Sequence, residues 1–274
     1  MRKLLVFVFV SLFALIGVIG CQEGGSNAAA TQEKSHLQQI LERGKIVVGI
    51  TLTFPPFGMQ NAQGEPEGYE VDLAKALADS LGVELEIVDV VGEARIPSLE
   101  TDKIDVMLGN FTRTLTRAQK IDFTDTYIVA AQRMIVQKGS SIKTVQDLAG
   151  KKVVVLRGST NAEVMKSLGI DAEITYLATG AEGVLAVKNG QNDAFVEDSN
   201  FLAYQAKMNP ELEVVGDALS LKEYQGFGIK KGDQQWLNYL NLFLFDVNYI
   251  SGVNDELYMK WFGTNHPFPR NPEY

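Results

Sequence analysis

Between Gly109 and Phe123 the sequence reads GNFTRTLTRAQKIDF, which sets Arg113 and Arg117 four residues apart among Thr112, Thr114 and Thr116. Guanidinium forks and hydroxyls together bind anions, because all of them donate hydrogen bonds. A second donor-rich stretch, Gly158-Ser159-Thr160, follows the apolar run KKVVVL and opens a helical pattern. Main-chain N–H groups at a helix start add to its hydroxyls and favour negative charge, although the same residues serve equally well as a plain helix cap. Asp198 closes another apolar run, DAFVED, and offers the opposite charge. The anion could be a phosphate, a nucleic-acid backbone, an acidic protein or a small carboxylate.

The bulk numbers narrow that choice. The 274 residues carry a formal net charge of −9 and no basic run longer than a pair such as Lys230-Lys231. Nucleic-acid recognition needs a concentrated Lys/Arg face, so no nucleic-acid partner is expected. No Walker lysine follows Gly158-Ser159-Thr160, which argues against a nucleoside triphosphate. GFGIKKG, residues 226–232, only loosely echoes a nucleotide loop and precedes no βαβ unit. The two histidines, His36 and His266, lie near the ends of the chain, and there is no HExxH, no GxSxG and no thiol beyond Cys21. Common nucleophile and zinc chemistries therefore lack their parts, and no catalytic residue, metal or cofactor is expected.

The N-terminus is a separate object. Arg2-Lys3 precede LLVFVFVSLFALIGVI, and Gly20-Cys21 follow. A basic start, an apolar centre and a small residue at the cut describe a secretory leader over residues 1–20. Val18-Ile19-Gly20-Cys21 resembles a bacterial lipobox, in which the cysteine is acylated and becomes the first mature residue. Cys21 is the one cysteine of the chain, so the mature fold has no disulfide. Residues 21–36 read as a polar tether with too little apolar content to fold. No later segment is long and apolar enough to span a membrane.

Elements that could position the donors emerge from Leu37 onward. KIVVGI reads as a strand, and TFPPFG must be a loop because Pro55-Pro56 forbids helix. Helical spacing of Val71, Ala74, Leu77, Ala78 and Leu81 predicts a helix over 69–81, with Gly82 as its C-cap. VELEIVDV and KIDVMLG read as strands on either side of a short helix begun by RIPSLE. The pattern recurs with KKVVVL, a helix after Gly158-Ser159-Thr160, AEITYL, a helix in AEGVLAVKNG, and DAFVED. Two successive βαβαβ blocks argue for two α/β lobes. In such sheets ligands sit at the carboxyl ends of the strands. Residues 51–54, Arg95, 110–112, 157–160 and Asp198 fall at those ends.

From Lys45 to about Gly263 the chain resembles the amino-acid-binding family, family 3, of bacterial ABC-transporter extracellular solute-binding proteins. The stretches that carry the resemblance are VVGITLTFPPFG, GYEVDLAKALADSLGV, RIPSLETDKIDVMLGNFTRTLTRAQKIDFTDTYI, DLAGKKVVVLRGST and NDAFVED. The resemblance implies a periplasmic-binding-protein type II clamp: two lobes, each a mixed sheet flanked by helices, joined by a two-strand hinge. It implies a monomer that closes on a free amino acid and delivers it to a membrane permease. It also puts the chain outside the cytoplasm in the bacterial envelope, lipid-anchored through Cys21.

By the same resemblance, Arg117 grips the ligand α-carboxylate, although TLTR stands where the family has TPER. Thr112 and Asn110 match ligand-contacting polar positions, Ser159 and Thr160 the second lobe's carboxylate cap, Asp198 the partner of the α-ammonium, and Phe54 an aromatic cover. Arg113 falls on a variable position and reads as a surface charge. Thr51 is neutral where binders of cationic amino acids carry an acid, so a polar or acidic amino acid is favoured. Arg95 either reaches the ligand side chain or serves a helix start or interlobe contact; both stay open. Other classes are an enzyme on the same scaffold, like the cyclohexadienyl dehydratases, or a ligand-sensing receptor component. Asp198 argues against the former. The expected lobes are 37–133 with 229–274, and 134–228, with Gly226 and Gly228 absorbing the hinge motion.

Overall fold

The computed structural model describes residues 34–220 and 222–266. The expected leader, Cys21 and the tether up to residue 33 lie outside the described residues. At the tether's far end the structure departs from expectation. Ser35 caps helix α1 (His36–Arg43) by accepting from Gln38 N at 3.3 Å, and Gly44 ends the helix in the left-handed region at φ 67°. His36 is buried, so the folded chain begins before residue 37. Its main-chain N–H donates to Asp233 Oδ2 at 2.6 Å, and its ring lies 3.0 Å from Asp233 and 3.2 Å from Asp102.

Next come strand β1 (Lys45–Ile50), a small hairpin of β2 (Met59–Gln60) and β3 (Pro66–Glu67), helix α2 (Tyr69–Leu81) and strand β4 (Glu84–Asp89). Helix α2 has the predicted span, stopped by Gly82 at φ 67°, and buries Leu73, Ala74 and Leu77 against β1. Helix α3 (Arg95–Glu100) leads to β5 (Val106–Met107), then α4 (Leu115–Ala118) and the long β6 (Ile121–Ala130). The predicted strand KIDVMLG shrinks to two residues because Asp105 turns aside. Its carboxylate accepts from Val47 N at 2.7 Å and pairs with Arg43.

The first sheet runs β4-β1-β5-β12-β6, where β12 is Glu223–Lys230; β4, β1 and β5 are parallel and β12 is antiparallel to its neighbours. The second contains β7 (Gln132–Gln137), β8 (Lys152–Leu156), β9 (Glu173–Leu177), β10 (Ala194–Asp198) and β11 (Leu212–Val215), in the order β11-β7-β10-β8-β9. Its helices are α5 (Asn161–Ser167), α6 (Gly180–Lys188) and α7 (Ser199–Met208); α8 (Gln234–Phe245) and α9 (Val253–Phe262) return to the first. Both sheets are mixed and flanked by helices, as expected.

The first crossing falls within a few residues of the expected boundary at 133/134, and the second lies upstream of the expected boundary at 228/229. Strand β6 ends at Ala130 and β7 begins at Gln132, so Ala131 alone links them. All of β12 belongs to the first sheet, with Glu223 paired to Ala130, so the return crossing comes before Glu223, upstream of the expected boundary at 228/229. Gly226 and Gly228 therefore serve packing inside a strand and not a hinge. A Cβ on Gly226 would come within 2.8 Å of Thr124 O, and one on Gly228 within 3.0 Å of the Phe111 ring.

One apolar cluster runs through both halves, from Ile46, Leu77 and Trp236 to Phe195 and Leu202. The link is a stack of Phe54, from the first half, on Phe201, from the second, at 4.1 Å between centroids and 9° between planes. Each fully buried aromatic or aliphatic side chain of this kind contributes about 1.5–3 kcal/mol.

Candidate functional site

The carboxyl ends of β1, β4 and β5 face those of β8, β9 and β10 across a cleft of about 590 Å³ counted to its open mouth. Phe54, Arg95, Asn110, Thr112, Arg117, Ser159, Thr160 and Asp198 all line it. Arg113 is exposed and donates to Thr126 Oγ1 at 3.1 Å, away from the cleft.

One wall is cationic. Thr114 caps α4 by accepting from Arg117 N at 3.2 Å, replacing the start that Pro and Glu would have given. Arg117 then donates to Thr112 O at 2.6 Å and, across the cleft, to Gly158 O at 2.8 Å. Arg95 donates to three main-chain carbonyls: Gly92 O at 3.0 Å, Gly109 O at 3.2 Å and Gly158 O at 2.9 Å. Arg95 thus joins the two halves. Both guanidiniums lie on the Phe111 ring, at 4.5 and 4.8 Å from its centroid, a contact that favours a cation. Burial pulls both below their ordinary values, and Arg117 pulls Arg95 down further.

The approach of the two halves here depends on glycine. Gly158 adopts φ 71°, and a Cβ on it would lie 2.8 Å from Glu93 N; one on Gly92 would lie 2.3 Å from Arg157 O. No side chain fits at that seam.

The opposite wall is anionic. Asp198 ends β10 and caps α7, its Oδ1 accepting from Asn200 N at 2.7 Å and Phe201 N at 3.1 Å. Its Oδ2 accepts from Asn110 Nδ2 of the other half at 3.1 Å. Burial pushes its pKa up to about 6, against the lowering effect of those donors. Beside it stands Glu197, pushed up to about 8 by burial and by Asp198, and bonded to Asn161 Nδ2 at 2.6 Å. Ser159 Oγ donates to Leu156 O at 2.7 Å, and Thr160 Oγ1 donates to Glu223 at 2.9 Å. Both hydroxyl protons are thus directed into the protein.

Sequence reasoning missed Glu197 and Glu223, since an acid in a strand next to the expected Asp198 carries no signal of its own. It also missed Glu70, fully buried under the Gly109–Asn110 turn. A signal existed there. Glu70 lies on the same helical stripe as Leu73, Ala74 and Leu77, where an acid is out of place.

The profile of bacterial extracellular solute-binding proteins, family 3, matches residues 46–264. The chain is 34% identical over 268 residues to the ABC transporter glutamine-binding protein GlnH of Bacillus subtilis (strain 168), covering 95% of this chain and 97% of the relative. It is 30% identical over 256 residues to the L-cystine-binding protein TcyJ of Escherichia coli (strain K12), covering 92% and 96%. The cysteine-binding protein of Campylobacter jejuni is similar in structure, with TM-score 0.80, 26% identity and coverage of 83% of this chain and 93% of that one. So is an ancestral amino acid-binding protein described as a precursor of cyclohexadienyl dehydratase, with TM-score 0.79, 38% identity and coverage of 83% and 100%.

Proposed function

The chain belongs to the bacterial extracellular solute-binding proteins of family 3, and we propose that its cleft closes on one free, net-neutral amino acid with a polar side chain of about the size of glutamine. Capture of an amino acid for an ABC transporter, outside the cytoplasm, follows from membership and from the relatives named above.

The carrying observation is the opposition of charges: Arg117, backed by Arg95, on one wall and Asp198 with Asn110 on the other. A zwitterion satisfies both at once. Its carboxylate takes the planar donors of Arg117, and its ammonium takes Asp198 and the Asn110 side-chain oxygen. Phe54 covers the ligand's hydrocarbon.

Charge balance favours a neutral side chain. Burial keeps Glu197 protonated at neutral pH, which leaves Arg95 and Arg117 against Asp198 and Glu223, while Arg157, the third arginine of the lining, is exposed and screened by solvent. A ligand of net charge zero adds nothing unpaired to this enclosed site, whereas an acidic or cationic side chain adds one buried charge. Arg95, held by three carbonyls, acts here as an interlobe contact and not as a receptor for a side-chain carboxylate. The expectation of a polar or acidic ligand thereby narrows to a polar one.

We read the chain as a monomeric carrier, not an enzyme. A dehydratase on this scaffold needs a free acid or base at its substrate and no ammonium partner, whereas Asp198 is engaged as a cap and by Asn110. Cys21 is the lipid anchor in this reading. A thermal-shift screen of the free amino acids tests the assignment: glutamine should raise the melting temperature most, and no response to any amino acid would overturn it.

A further inference from the structure

Glu70 lies beneath the anionic wall and is fully buried. Its carboxylate accepts three hydrogen bonds: from Gly109 N at 2.9 Å, from Asn110 N at 2.6 Å, and from the Tyr127 hydroxyl. Gly109 and Asn110 are consecutive left-handed residues, at φ 60° and 47°. That conformation is open to glycine and tolerated by asparagine, and it needs an external hold to persist. Two convergent N–H groups on one carboxylate provide it. From the other side Arg95 fixes the same turn through Gly109 O at 3.2 Å.

The turn decides where Asn110 points. Its Nδ2 donates to Asp198 at 3.1 Å, while its Oδ1 is buried with no partner among the described residues. An acceptor left open beside a carboxylate suits an ammonium, which brings three donors. Buried acceptors are rarely left unmatched in a native structure.

We propose that Glu70 is a positioning residue for the ligand's ammonium, holding the Gly109–Asn110 turn so that the Asn110 side-chain oxygen stands next to Asp198. This rests on the zwitterion reading above. The carboxylate is required and not merely a polar group of its shape. Glutamine at position 70 would turn its NH₂ toward one of the two N–H groups, donor against donor, and the turn would relax. Burial raises Glu70 to about 7, opposed by its three donors and by Arg95.

The test is a double-mutant cycle on the full mature chain, read by calorimetry with L-glutamine, or with whichever free amino acid binds wild type most tightly. Glu70→Gln should weaken binding about tenfold or more, because a main-chain donor loses its acceptor. Asn110→Gly keeps the left-handed turn but removes the side chain; in that background Glu70→Gln should cost less than about twofold, as coupled residues do. Glu70→Asp, which retains the charge but cannot span both N–H groups, should lie between and lose its effect in the same background. Wild-type affinity in either Glu70 variant, or an equal loss with and without the Asn110 side chain, overturns the inference. Failure of wild type to bind any amino acid overturns instead the reading on which it rests.

Discussion

Arg95 and Arg117 share a single acceptor: Gly158 O lies 2.9 Å from Arg95 Nη2 and 2.8 Å from Arg117 Nη2. Two desolvated cations thus converge on one neutral oxygen contributed by the opposite half of the molecule. A carboxylate entering beside that oxygen gains from both charges, and more so for being shielded from water. On the proposed reading, the same contact would make closure and anion capture parts of one event.

Removing either charged partner of the zwitterion should be severe. Arg117→Ala and Asp198→Ala should each weaken amino-acid binding by about a hundredfold or more, since each leaves a desolvated ligand charge unpaired. Calorimetry on both variants checks this, and N-acetylated or C-amidated ligand should fail on the wild type. Binding of both blocked analogues at parental strength would show that the cleft does not read the α-groups.

Gly158→Ala should act as a wedge. Its Cβ would lie 2.8 Å from Glu93 N, so the halves could not meet. Affinity should drop by about tenfold or more. In small-angle scattering, the ligand-bound variant should keep the radius of gyration of the ligand-free form. Contraction of the variant equal to that of wild type would contradict this.

Selectivity should follow charge balance. Glutamine should bind at least about tenfold more tightly than glutamate, arginine or lysine, because each of these brings an uncompensated buried charge. Calorimetry across those four ligands decides it, with tight binding of arginine or lysine as the adverse result.

The buried acids predict an unusual pH response. Glu197 and Glu70 are raised to about 8 and 7, so between pH 8 and 6.5 the folded protein binds more protons than the unfolded chain. Stability of the ligand-free protein should therefore rise as the pH is lowered across that window. Below it His266, held neutral by burial, opposes the trend, because the unfolded chain then takes up the proton. Glu197→Gln should flatten the upper part of the slope in melting curves. An unchanged slope would mean that Glu197 ionises normally.

Cys21→Ser should release the protein from the membrane fraction of expressing cells, since two acyl chains suffice for stable anchoring. Unchanged membrane association would remove Cys21 as the anchor.

Much of this was legible in the sequence because strand ends and helix starts are written locally. Val71, Leu77 and Gly82 gave α2 its span, and Ser159 and Asp198 each sat where an apolar run stops, whereas Arg117 was reached only through the family resemblance. The return crossing was not legible. Gly226 and Gly228 look like hinge residues, yet their missing side chains make room for Thr124 and Phe111, contacts more than a hundred residues away in the chain. Glu197 and Glu223 were hidden for a like reason. Whether an acid in a strand faces water or a cleft is set by the neighbouring lobe, not by its own segment.

The buried His36, clasped by Asp102 and Asp233, has a mechanical consequence. It opens α1, which leads into β1, whose six residues carry the backbone about 20 Å before reaching Thr51 and the cleft. Any pull transmitted along the preceding segment is borne by that mooring at the amino-terminal edge of the first sheet. The cleft lies at the far edge, so were the chain anchored through Cys21 as proposed, the load would fall on that mooring and not on the cleft.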